Sequence, residues 1–391
     1  MVLDYEMPEG GAAQIISITL DKESKGILYS DLYAKVDYVQ LEMTEQSLVG
    51  DVSKLEIADN GDIILLDNTR GSVIRFNASG KYVCHIGSRG NGHGEYITAS
   101  DIAYDRYNNY VIVLDKSSCK LVTYDLDGRL VYSTPLGYMP SCITVLDEEH
   151  LCLYMNHYED LSKRLVGNNF KIINRKGNLI SEFMEFDATM TAFHPACDNV
   201  FFYMDSRNCF KQPFSSLIYS MDNVKDGMPN ITPELYIDFG DKKIPQEWYR
   251  GAFREMLDKL QEGGIMYLSS IYKVKDRLIL NIARNRAICM YILNIQDRSL
   301  DKFGFYAHND MFGFVSSISL STIKDKKCYF IINPSEFDFY KENIDKEGSE
   351  FYTVDKNFKP IVYVPSKSER NLLNSIHDGD NPIIQICTLK D

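Results

Sequence analysis

The chain has 391 residues, 45% of them hydrophobic, and a formal net charge of -13. The apolar content is ample for a packed core, and the acidity leaves no broad cationic face to neutralise phosphates, which argues against a nucleic-acid partner. Aromatic residues make up 12%, with 26 Tyr and 20 Phe against one Trp, a bias that suits strands.

In chain order, the first strand-like segment is Tyr38-Val39-Gln40-Leu41, followed by a small-residue entry into an apolar strand at Ser53. Then a phrase occurs twice. Ile63-Ile64-Leu65-Leu66-Asp67 and Val73-Ile74-Arg75-Phe76-Asn77-Ala78-Ser79-Gly80 return as Val111-Ile112-Val113-Leu114-Asp115 and Leu121-Val122-Thr123-Tyr124-Asp125-Leu126-Asp127-Gly128. Leu66 and Leu114 lie 48 residues apart, as do Gly80 and Gly128. A fixed period of this size, filled with short strands and polar turns, predicts the blades of a β-propeller.

A Ser or Thr opening an apolar strand recurs at Ser53, Ser100, Ser141, Thr191, Ser270 and Ser317, spaced by 47, 41, 50, 79 and 47 residues. Small residues suit the crowded start of an innermost strand, so the count predicts six blades of four antiparallel strands. The long interval contains Pro245, and Trp248, Ala252, Phe253, Met256, Leu257 and Leu260 fall on one helical face before Gly263-Gly264. This predicts an amphipathic helix inserted at about residues 245–262. Asx-x-x-Gly turns at Asn77–Gly80, Asp125–Gly128 and Asn174–Gly177 read as outer hairpins, with a looser version at Asp355-Lys356-Asn357-Phe358. The ring is expected to close where the N-terminal segment joins the C-terminal strand Pro382-Ile383-Ile384-Gln385-Ile386, which removes exposed sheet edges. The whole of residues 1–391 then forms one propeller domain.

The nine cysteines are scattered and never form a C-x-x-C pair, against both a disulfide framework and a zinc knuckle. No apolar run of about 18 residues marks a membrane span. No basic segment followed by an apolar stretch marks a signal peptide. The seven histidines form no metal motif and no G-x-S-x-G elbow is present. No cofactor is predicted. The central channel of a propeller nevertheless admits a divalent cation, for which Asp101 is the weak candidate ligand. The glycine-rich loop at residues 87–96 lacks a Gly-Lys-Ser/Thr ending and is read as a tight path between blades, not a phosphate cradle.

One functional signal remains. Loops joining second and third strands share a face with the blade-to-blade loops, and basic or imidazole groups recur there: Arg70, Arg89, His93, Lys116, His157, Arg207, Arg284 and Arg286. Guanidinium forks suit carboxylates, phosphates and sulfates. The bland alternative is that exposed turns simply favour such residues. The leading expectation is non-catalytic binding of an anionic small molecule, an acidic glycan or an envelope protein through this face and the channel mouth. The alternative is a metal-assisted propeller enzyme of the lactonase or lyase kind, with its site at the axis.

The loop Gly87-Ser88-Arg89-Gly90-Asn91-Gly92-His93-Gly94-Glu95-Tyr96 resembles the Gly-x-Gly-Pro-Gly-Glu-Tyr loop of a bacterial six-bladed propeller family related to NHL repeats, with His93 in place of Pro. Glu45-Gln46-Ser47-Leu48-Val49-Gly50 and Asp380-Asn381-Pro382-Ile383-Ile384 are similar to that family's entry and ending. The resemblance implies a six-bladed propeller, export, and a periplasmic or outer-membrane association through a lipid on an N-terminal Cys; here no Cys precedes Cys84. It implies no catalytic residues.

Overall fold

The computed structural model describes residues 13–18, 26–157, 167–186, 195, 199–204, 207–225, 227–250, 252–262, 264–284, 287–296, 300–304, 307–311, 320–344, 346 and 350–390. Its sheets are arranged as a six-bladed β-propeller. Blade 1 comprises Val52–Ile57, Ile63–Asp67, Ser72–Phe76 and Tyr82–His85, and blade 2 comprises Asp101–Asp105, Tyr110–Asp115, Lys120–Asp125 and Leu130–Pro135. Blade 3 is built from Cys142–Val145, His150–Tyr154, Gly167–Asn174 and Leu179–Phe186. Blade 4 holds Phe201–Met204, Arg207–Phe210, Leu217–Lys225 and Met228–Asp238, and blade 5 holds Met266–Val274, Arg277–Arg284, Ala287–Asn294 and Leu300–Gly304. The first strand of each blade is innermost, and the first strands of blades 6 and 1, 1 and 2, 2 and 3, and 4 and 5 lie against one another.

Blade 6 closes the ring as expected. Its strand order is Leu320–Lys324, Lys327–Ile332, the C-terminal strand Ile383–Leu389 and the N-terminal strand Tyr33–Gln40. Before reaching blade 6 the N-terminal segment adds Gln14–Ser17 as a parallel fifth strand on blade 4, and pairs Ile27–Leu28 with Ala307–His308.

The core explains the repeat. Ile64 and Leu66 pack with Ile102, Val111 and Val113 between blades 1 and 2. Their neighbours Ile63 and Leu65 pack with Leu55, Phe76 and Ile384 between blades 1 and 6. Second strands are therefore buried on both faces, which is why they read as unbroken apolar runs rather than alternating ones. Burying each such side chain stabilises by about 1.5–3 kcal/mol. The turn glycines have a second role. Gly80, Gly128 and Gly177 adopt φ of +83°, +75° and +83°. A Cβ at Gly80 would sit 2.1 Å from the Gln40 carbonyl oxygen, and at Gly128 2.3 Å from that of His85. At Gly177 it would sit 2.6 Å from Thr134 Cγ2. Each outer turn thus nestles on the fourth strand of the preceding blade.

Two expectations need amending. The segment after Pro245 is two elements, a 3-10 turn at Gln246–Tyr249 and an α-helix at Phe253–Glu262. Met256 of the helix is buried, and Phe253, Leu260 and Trp248 pack against the cluster between blades 3 and 4. Asp355–Phe358 is not an outer turn of blade 6, because that blade is closed by the two chain ends and has no third-to-fourth strand hairpin. These residues form the turn of an inserted hairpin, Phe351–Val354 with Pro360–Tyr363, which lies with the helices Asp338–Asn343 and Lys367–Ser375 between the second and third strands of blade 6. The strand openers Thr191 and Ser317 lie outside the described residues.

Candidate functional site

Each strand 2–3 loop meets the entry of an innermost strand, so the two share one face of the ring. Asp67 is fully buried at the end of a second strand. It accepts hydrogen bonds from the backbone N–H of Gly50 at 2.9 Å and of Arg70 at 3.1 Å. Asp115 stands in the same place in blade 2, bonded by Ile97 N at 2.7 Å and Ser118 N at 3.2 Å. The repeated aspartate is therefore a staple between loops. Buried backbone donors need such acceptors.

The basic residues expected on this face are largely engaged by the protein itself. Arg70 Nη1 lies 3.3 Å from Asp67. Arg89 donates from Nε to the Ile97 carbonyl at 3.1 Å, and Lys116 Nζ reaches Ser141 Oγ at 3.3 Å. Arg207 is not on this face: it opens the second strand of blade 4, paired with Met204 at the end of the first, so it lies at the strand 1–2 turns on the opposite end of the ring, where it bonds Glu234 at 2.7 Å and Ser220 at 3.2 Å. That bond raises the Arg207 pKa. Burial alone would push the Glu234 carboxyl up, but Arg207 and Ser220 outweigh it and hold it below the ordinary value. His157 is fully buried, edge-on to Phe186 with ring centroids 5.3 Å apart, so its imidazole belongs to the core. His93 is exposed on the glycine loop. Arg284 is half-buried at the end of its strand, with an Nε that has no hydrogen-bond partner. Arg286 lies outside the described residues.

The glycine loop is filled by its own carboxylate. Glu95 Oε2 accepts from Gly92 N at 2.7 Å, and a Cβ on Gly90 would meet that same oxygen at 2.0 Å. Tyr124 donates to the Gly94 carbonyl at 2.7 Å, and its ring occupies the space a Cβ on Gly87 would need. These contacts make the loop a blade-to-blade brace.

The axis carries a column of charge that sequence reading missed. Lys54 Nζ lies 2.9 Å from Asp101 Oδ1 and 3.8 Å from Glu56. Asp101 Oδ2 accepts Ile143 N at 2.8 Å, so both oxygens of the candidate metal ligand are engaged. Among the described residues no three His, Cys, Asp or Glu side chains gather as a metal-holding group. Burial would push the Lys54 ammonium down, but the Asp101 and Glu56 carboxylates outweigh it and hold its pKa above the ordinary value. Burial pushes the Glu56 carboxyl up, aided by Asp101 and opposed by Lys54, Arg106 and Lys324.

Towards the strand 1–2 turns the column opens into a mouth. Lys324, at the end of the innermost strand of blade 6, donates to the Ile57 carbonyl at 2.9 Å and pairs with Asp59 at 2.5 Å. Its ammonium lies 5.2 Å from the Tyr104 ring centroid. Arg106, just past the innermost strand of blade 2, stacks over Tyr203 of blade 4 at 4.2 Å. Blades 2 and 4 are not neighbours, so this pair spans the inner end of blade 3. Arg106 is exposed and has no ion-pair partner among the described residues. Tyr203 and Tyr107 are each 41% exposed beside it. Side chains from blades 1, 2, 4 and 6 thus converge on one end of the channel.

Over residues 13–388 the chain matches the family model described as a domain of unknown function, DUF4934. A Bacteroides fragilis NCTC 9343 protein described as exported shares the fold, with a TM-score of 0.71 and 18% identity over 97% of this chain and 100% of that one. A Bacteroides vulgatus member of the DUF4221 family aligns with a TM-score of 0.49 and 12% identity over 92% and 97% of the two chains. At these identities the likeness is one of fold alone. No curated protein matches the chain. No helix among the described residues is long and apolar enough to cross a membrane.

Proposed function

This chain belongs to the DUF4934 family, and we propose that it is a non-catalytic binding protein of the cell envelope that takes an anionic group at its axial mouth. The observation that carries this reading is Arg106, an exposed guanidinium held over the Tyr203 ring 4.2 Å from its centroid, with no ion-pair partner among the described residues. A stacked guanidinium keeps its fork of donors free in the ring plane, which suits a planar carboxylate or a sulfate. Lys324, paired with Asp59, adds a second cation to the same mouth. The half-exposed faces of Tyr203 and Tyr107 offer flat apolar surface for the body of a small molecule or sugar. The envelope location draws on the description of the Bacteroides fragilis protein as exported.

The test is calorimetric titration with uronate-containing and sulfated oligosaccharides beside their neutral counterparts. Acidic ligands bind and neutral ones do not. Arg106→Ala lowers affinity at least about tenfold, in line with loss of one charge-assisted bond, without lowering the melting temperature. Equal affinity in Arg106→Ala, or no acidic ligand bound at all, overturns the reading.

A further inference from the structure

The inserted hairpin of blade 6 has an unusual surface. Side chains alternate across a strand, so one face of the pair turns inward and the other outward. Inward, Phe351 is buried among Ile344, Leu373 and Ile376, and stacks on Tyr340 with ring centroids 6.1 Å apart. The helix behind it is fixed by a capping box between Ser366 and Glu369. The base of the hairpin is therefore rigid. Outward, the cross-strand pairs are Tyr352 with Val362 and Val354 with Pro360, and Val364 continues the row. Every one of these positions is apolar, where a solvated face would alternate to polar. Tyr352, Val362 and Val364 are 57%, 55% and 78% exposed.

The sheet has only two strands among the described residues, and Pro360, Ile361 and Val362 of its second strand are all exposed. An open apolar strand edge is a template for pairing with another extended chain. Pro360 and Pro365 bracket it, so that pairing is held to a short register. Lys356, Lys359 and Lys367 are exposed on the turn and the following helix, and no ion pair engages them among the described residues; the nearby carboxylates are already used, Glu350 by the Tyr352 hydroxyl and Asp355 by the amides of Asn357 and Lys359, which leaves the lysines as the unengaged charges.

We infer that this edge is a docking site for an extended segment of a partner protein, one that alternates apolar and acidic residues and adds as a third strand. Apolar side chains cover Tyr352, Val362 and Val364, and carboxylates meet the three lysines. Charge decides against a second copy of this chain. Pairing the strand with itself would gather the lysines of both copies around one apolar face, and like charges across strands are destabilising.

The probe is an acetylated nonapeptide alternating Val and Glu, compared with one alternating Val and Lys. Fluorescence anisotropy measures binding to the full chain, and amide hydrogen exchange locates it. The Val/Glu peptide binds and protects the alternate amides between Pro360 and Pro365 that face the open edge, while the Val/Lys peptide does not. Lys359→Glu with Lys367→Glu weakens the Val/Glu peptide about tenfold, as expected for two rim charge pairs reversed, and reverses the preference. These substitutions are fully on the surface, so unchanged melting confirms that the fold is intact. Val362→Asp with Val364→Asp removes binding of the Val/Glu peptide. Equal binding of both peptides, no binding of either, or protection elsewhere overturns the inference. Concentration-dependent dimerisation abolished by Val362→Asp replaces the partner with a second copy, and binding to anionic vesicles through the same residues replaces it with a lipid surface.

Discussion

Gly80→Ala is expected to loosen the seam between blade 1 and blade 6, and Gly61→Ala provides its control. Both glycines sit at positive φ, +83° and +86°. An L-residue there costs roughly 1–2 kcal/mol in either case. The surroundings differ. A Cβ at Gly61 would be 3.4 Å from Ala78 Cβ, an ordinary contact. At Gly80 it would be 2.1 Å from the Gln40 carbonyl oxygen and 2.8 Å from Val39 Cγ1. Relief requires the outer turn to withdraw from the N-terminal strand by more than about 1 Å, given the usual limits of contact. Three bonds depend on that approach: Glu42 N to the Gly80 carbonyl at 2.7 Å, Tyr82 N to Glu42 at 2.9 Å, and Lys81 to Glu42 at 3.1 Å. Losing the first two adds about 1–3 kcal/mol, and the exposed Lys81 pair adds little. Gly80→Ala should therefore lose about 2–5 kcal/mol in urea unfolding, about 1–3 more than the roughly 1–2 expected of Gly61→Ala. Hydrogen exchange at the Glu42 amide should accelerate only in the first. Equal losses in the two variants would show that the seam yields freely and that close approach is not why glycine stands at residue 80.

Two further outcomes are expected. Asp115→Ala leaves the Ile97 and Ser118 amides without their acceptor, and should cost about 2–4 kcal/mol by thermal unfolding; a change below about 0.5 kcal/mol would remove the staple role. Glu56 titrates above the ordinary 4.5 in the folded chain, so its protonation stabilises the fold at low pH and that contribution disappears as pH rises through the raised value. Glu56→Gln should accordingly flatten the stability curve over that window and match or exceed the parent at neutral pH. A variant less stable at neutral pH would mean that the Lys54 and Arg106 attractions outweigh burial.

The blade count and the closure were legible because they rest on local chemistry repeated many times. Two-faced burial turns second strands into unbroken runs such as residues 63–66 and 111–114, and the Asx-x-x-Gly turns mark where a hairpin touches the previous blade. The inserted hairpin was misread because Asp355 does what any Asx turn does, accepting from Asn357 N and Lys359 N, whichever sheet the turn belongs to. The site was hidden for a different reason. Arg106 and Tyr203 are 97 residues apart in sequence and meet only because the ring closes. A weak signal did exist. Lys54 and Glu56 place charge at alternate positions of an innermost strand, a pattern that the described second strands do not show, and it marks the side that lines the channel.

The direction in which each strand runs separates the two surfaces. Second strands end on the face where Asp67 and Asp115 staple the loops, so the insertion of blade 6, which leaves after Ile332, emerges from that face. First strands end at the opposite face, where Ile57, Lys324 and Arg106 frame the mouth. On the stapled face, Arg70, Arg89 and Lys116 are already bonded within the chain, and the insertion leaves exposed an apolar strand edge fit for another polypeptide. On the open face, Arg106 lies over Tyr203 with no ion-pair partner among the described residues, which is fit for a small anion. If both proposals hold, the chemistry of each face selects a different kind of partner, and the ring between them keeps the two from competing for the same residues.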